Sequence, residues 1–129
     1  MCNKILRRGL SNRRPALGAA SNYADSLCSL QRFKEGKALH RKTIPVARRA
    51  LGEDHQLTLR MRGSHAEALY MDAGTTFDDL REAATTFEEM ERTARRVFGS
   101  AHPLVTNIEA GLREASMAFC VASMALRGA

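Results

Sequence analysis

The 129 residues fit one domain, and 44% apolar with 26% charged residues are ordinary globular proportions that exclude a long disordered or low-complexity chain. The formal charge of +6 is uneven: residues 1–62 carry 14 Lys and Arg against 4 Asp and Glu, net +10, and residues 63–129 carry 6 against 10, net −4. That polarity suits an acidic peptide, nucleic acid, an anionic surface or the opposite half of another copy, and chooses none of them. No run of 18 apolar residues occurs, which excludes a membrane-spanning helix on length.

The first 24 residues hold Lys4, Arg7, Arg8, Arg13 and Arg14 and no acid, the composition either of an organelle transit peptide or of the frayed start of a preceding helical repeat. Residues 1–15 are read as a basic, poorly ordered segment, and residues 16–129 as one helical-repeat domain. Residues 16–31 form the first expected helix, followed by 34–51. Pro45 lies inside the latter and should kink it near residues 41–44. His40 falls on that helix's apolar stripe and is read as a packed histidine.

The third helix is expected over 57–73, with Leu59, Ala66, Leu69 and Tyr70 turned inward and Gly74 as its C-terminal cap. Thr76 suits the cap of the fourth, with Asp78 and Asp79 in its first turn. Phe77, Leu80, Ala84, Phe87, Met90, Ala94 and Val97 then recur at spacings of three and four, one amphipathic stripe. The last helix, 103–126, repeats the pattern through Leu104, Ile108, Leu112, Ala115, Phe119, Ala122 and Leu126. Its second half is small or apolar on every side, so a contact surface is expected through Met117, Cys120, Val121 and Met124.

The chain repeats itself. "ARRALGEDH" at residues 47–55 returns as "ARRVFGSAH" at 94–102, and Glu35 pairs with Glu82, Gly52 with Gly99 and His55 with His102 at an offset of 47. Upstream, Ala24 and Leu27 pair with Ala66 and Leu69 at an offset of 42, which places five extra residues in the second copy, between Asp72 and Glu82. Arginines in a helix's last turn, a glycine in left-handed conformation and a histidine at the next cap account physically for the repeated nonamer. The expected repeats are 16–54, 55–101 and 102–126.

Cys2, Cys28 and Cys120 lack metal-ligand spacing, and Cys28 and Cys120 are read as small hydrophobes within helices of a protein in a reducing compartment, the cytoplasm. No cofactor, metal or catalytic residue is expected. There is no phosphate loop or nucleophile motif, and Asp78-Asp79 and Glu88-Glu89 diverge on their helices.

The stretch "NYADSLCSLQRFKEGKALHRKTIPVARRALGEDHQLTL", residues 22–59, resembles a tetratricopeptide repeat of the kinesin light chain type, and the resemblance extends over 22–126. It implies an all-α fold of antiparallel helix pairs stacked as a short right-handed superhelix, with first helices lining a concave groove for a protein or peptide partner. Asn22 matches the groove asparagine of such repeats; Ser64 and Gly111 stand at the equivalent places. The expected partner-binding residues are Asn22, Asp25, Arg60, Ser64 and Glu67 in the groove, and Phe119 and Val121 on the last helix, through which the chain is expected to self-associate. Two and a half repeats are few for stability, which points to such association or to a longer array. Nucleic-acid binding by the basic half is the alternative, with only Tyr23 and Phe33 to offer as stacking platforms.

Overall fold

The structure is a computed structural model that describes residues 10–128, with side chains from residue 14 onward. All regular structure among the described residues is helical: α1 (Leu10–Ser29), α2 (Phe33–Leu51), α3 (Gln56–Met71), α4 (Phe77–Phe98) and α5 (Pro103–Gly128). Adjacent helices pack in pairs, α1 on α2 and α4 on α5, as connections of three to five residues require of antiparallel neighbours. Two compact units result, Met1–His65 and Ala66–Ala129, with the boundary inside α3. Residues 1–9 of the basic segment lie outside the described residues, and the rest of it belongs to α1, which runs through Pro15.

In the first unit the core gathers Leu17 of α1, Ile44 and Ala47 of α2 and Met61 of α3, flanked by Ala16, Val46, Ala50, Leu51 and Leu57. Full burial of side chains the size of Leu17 or Met61 contributes about 1.5–3 kcal/mol each. Gly36 brings α2 close to α1: a Cβ there would lie 2.6 Å from Cys28 Sγ and 3.2 Å from the Ala24 carbonyl oxygen. Pro45 is accommodated inside α2, which continues to Leu51. In the second unit the same close approach occurs once more, since a Cβ on Gly111 of α5 would come within 2.7 Å of the Phe87 ring.

Both junction glycines have positive φ, Gly52 at 95° and Gly99 at 84°, but ψ of 162° and 158° places them outside the left-handed helical region expected from the sequence. They occupy the extended region at positive φ, which only glycine enters without strain. Each donates its N–H to the carbonyl four residues back, Arg48 and Arg95, at 3.0 Å. His55 and His102 then cap the next helices identically: the Leu57 N–H donates to His55 Nδ1 at 3.0 Å and the Leu104 N–H to His102 Nδ1 at 3.1 Å. Pro103 opens α5 at the first helical position, where a missing N–H costs nothing.

The five extra residues of the second copy are now located. The α3–α4 connection has five residues against three between α1 and α2, and α4 begins three residues earlier in the repeat register than α2 does. Thr76 and Asp79 form the reciprocal cap, Asp79 N–H to Thr76 Oγ1 at 3.1 Å and Thr76 N–H to Asp79 Oδ2 at 3.3 Å. Gly74 is not the cap expected of it. The helix ends at Met71, and the Gly74 N–H donates to Asp72 Oδ1 at 3.0 Å in a side-chain turn that needs no positive φ.

Burial shifts several expected core positions. Ala83 is buried in α4 while Val97, in the last turn of the helix beyond Ala94, is exposed. In α5, Val105 is buried and Leu126 exposed, since the helix runs past the start of α4. Cys28 is half-buried, whereas Cys120 is exposed and does not act as a core hydrophobe.

Candidate partner-binding surfaces

Two surfaces offer chemistry that the fold itself does not consume. The first lies on the first helices. On α1, Asn22, Tyr23 and Ser26 share one exposed face at helical spacing, opposite the buried Leu17, Ala20, Ala24 and Leu27. On α3, Gln56, Arg60, Ser64, Glu67 and Met71 form a single stripe between buried neighbours, with Ser64 half-buried and the others exposed. No hydrogen bond or ion pair among the described residues engages the Asn22 amide, the Arg60 guanidinium or the Ser64 hydroxyl; Asn22 contributes only its carbonyl, which accepts from Ser26 Oγ at 2.9 Å. Asn22 and Arg60 are exposed at no energetic cost to the fold, and with the half-buried Ser64 they are free to pair with a ligand.

Asp25 sits differently. It is half-buried, 3.8 Å by Oδ1 from Nε2 of His40, a histidine with 0% exposure. Burial lowers the His40 pKa from its ordinary 6.5, and the Asp25 charge opposes that shift. The His65 ring lies 5.9 Å away, tilted 60°. No group of three His, Cys, Asp or Glu among the described residues could hold a metal ion.

The second surface is on α5. Tyr70 donates to Glu114 at 2.6 Å and its ring stands 6.2 Å from Phe87, tying the end of α3 to both helices of the pair. Burial, then the Glu114 hydrogen bond and charge, then Glu67, raise the Tyr70 pKa above its ordinary value. Farther along, Phe119 packs on Phe77 with ring centroids 4.8 Å apart, and the Arg81 guanidinium lies over the other ring at 5.2 Å. Phe119 is therefore held by its own unit. On either side of it along α5, Met117, Val121 and Met124 remain 68%, 63% and 65% exposed along one stripe, with Cys120 beside them.

The junction arginines do more than oppose a helix dipole. Arg48 pairs with Glu53 at 3.1 Å, and Glu53 also faces Arg62 of α3 at 3.8 Å. Arg95 pairs with Glu91 at 2.9 Å and directly with Glu109 of α5. Positions 62 and 109 are equivalent in the repeat; where the later one is acidic the arginine binds it directly, and where the earlier one is basic Glu53 stands between. Periodicity alone does not reveal this exchange.

A family model for the tetratricopeptide repeat matches residues 17–57. The match runs from Leu17 of α1 through α2 to the first two residues of α3, about a third of the chain. No curated protein and no solved structure matches the chain. The matched family is one of protein interaction modules, and its helix pair is the arrangement seen in the first unit. None of the helices is long and apolar enough, among the described residues, to cross a membrane.

Proposed function

We propose that the chain is a protein-binding module that holds a peptide or partner helix against the exposed faces of α1 and α3, without catalysis. The observation that carries this reading is the set of unengaged polar side chains, Asn22, Arg60 and Ser64, on the first helices of a segment similar to a tetratricopeptide repeat. Within the first unit Arg60 calls for an acidic anchor and Asn22 and Ser64 for polar ones, so the fitting ligand is a segment that carries both. The leucine-glycine, acidic, histidine junction supports the kinesin light chain type of repeat. A cytoplasmic protein is the reading in keeping with three cysteines that lack metal-ligand spacing. The basic half does not make nucleic acid the better ligand, because Tyr23 alone of its two aromatics is exposed and Phe33 is half-buried.

The test is selection of a peptide library on the full chain, followed by titration against Asn22→Ala, Arg60→Glu and Ser64→Ala. A saturable ligand weakened tenfold or more by Arg60→Glu, with the helical circular dichroism unchanged, is expected. Selected ligands that bind all three variants equally would move the site elsewhere. A second reading, self-association through α5, is favoured by the exposed Met117, Val121 and Met124. Light scattering on Val121→Glu with Met124→Glu tests it: a dimer split by these changes supports it, and a monomer throughout removes it. Phe119 is unsuitable for that test, since its loss would uncover Phe77.

A further inference from the structure

Superposing the two copies by their register sets His40 at the place of Phe87 and His65 at the place of Leu112. In the second unit that place is apolar: Phe87 is buried beneath Gly111 and beside Tyr70. In the first, two imidazoles stand 5.9 Å apart where the sister copy packs hydrocarbon. Both histidines are buried, and neither ring nitrogen of His40 has a hydrogen-bond partner. The His40 position thus accepts a neutral imidazole as a substitute for an aromatic ring, and the carboxylate of Asp25 stands beyond hydrogen-bond reach of that ring at 3.8 Å.

We propose that the His40–His65 pair is a proton-sensitive joint that loosens the packing of α1, α2 and the start of α3 on mild acidification. The groups facing His40 from the helices packed against it are Asp25 of α1 and His65 of α3; on α2 itself Lys37 precedes it by one turn and Arg41 follows it toward solvent. A first proton gains Asp25 but loses hydration, and a second places two cations at ring-contact distance. Burial holds the His40 pKa below its ordinary 6.5 in the folded state. The unfolded chain therefore binds this proton more readily, so stability is whole above about 6.5 and is lost as pH falls below it. Asp25, Asn22, Arg60 and Ser64 all lie in this unit, but the joint follows from packing alone and does not depend on what binds there.

The experiment is urea unfolding of the full chain between pH 7.5 and 5.0, in a background with His55→Asn and His102→Asn, because asparagine caps a helix without titrating there. The folded-to-unfolded ratio is expected to fall roughly tenfold or more from pH 7 to pH 5, and His40→Phe with His65→Leu, the residues of the sister copy, should abolish most of that fall. A pH dependence of the same size in the substituted chain overturns the proposal. Should that variant not fold, the imidazole proton resonances of the otherwise unaltered background decide: His40 titrating in the folded state at its ordinary value overturns the proposal, and titration well below it, accompanied by unfolding, sustains it.

Discussion

The two helix turns within the repeats solve one problem by different means. Between α1 and α2, three residues suffice because Gln31 adopts φ of 62°. The Gln31 N–H then reaches the Cys28 carbonyl at 2.9 Å and the Arg32 N–H the Leu27 carbonyl at 2.8 Å, the paired bonds of a Schellman closure. Between α3 and α4, five residues let side chains do the same work, Asp72 closing one helix and the Thr76–Asp79 pair opening the next. A short turn concentrates strain in the backbone, and a longer one spreads the hydrogen bonding over polar side chains. The longer turn also gives α4 its early start at Phe77, against which Phe119 rests.

Substitutions can break or sharpen this contrast between the copies. The largest effect is expected from Phe87→Ala, which removes the ring filling the space that His40 fills in the first unit; a loss of about 3–5 kcal/mol is expected in chemical denaturation. Next, Gly52→Ala and Gly99→Ala should each cost about 1–3 kcal/mol, because alanine is strained at their dihedral angles. Equal losses at both sites would show the junctions to be equivalent, and a loss at one alone would show that they are not. Thr76→Ala should cost about 1 kcal/mol by removing the cap of α4. The smallest change is of opposite sign: Gln31→Gly should stabilise by about 1 kcal/mol or less, since glycine enters left-handed backbone without penalty. If that substitution destabilises the chain, the Gln31 side chain has a role that its backbone geometry does not disclose.

Much of this was legible in the residues. The capping of α4 by Thr76, the glycine ends at Gly52 and Gly99, and the histidine caps follow from rules that act over four or five positions, and the structure repeats them with matching partners. Gln31 was not legible, because left-handed backbone usually advertises itself by glycine or asparagine and here does not. Nor was the role of Glu53, which depends on Arg62 lying one helix away. On the candidate surfaces, spacing placed Asn22, Arg60 and Glu67 on exposed faces, but it cannot tell that Asp25 leans toward a buried histidine or that Phe119 is already occupied by Phe77.

The pairing of neighbours along the chain has a consequence for time. In each unit the packed partners, α1 with α2 and α4 with α5, are joined by three and four residues. Closing such short loops takes tens of nanoseconds and costs little chain entropy, so the search that pairs these neighbouring helices is local. Folding on the microsecond to millisecond scale is expected of so local a topology. A nascent chain would complete its first unit while the residues of α5 were still being added.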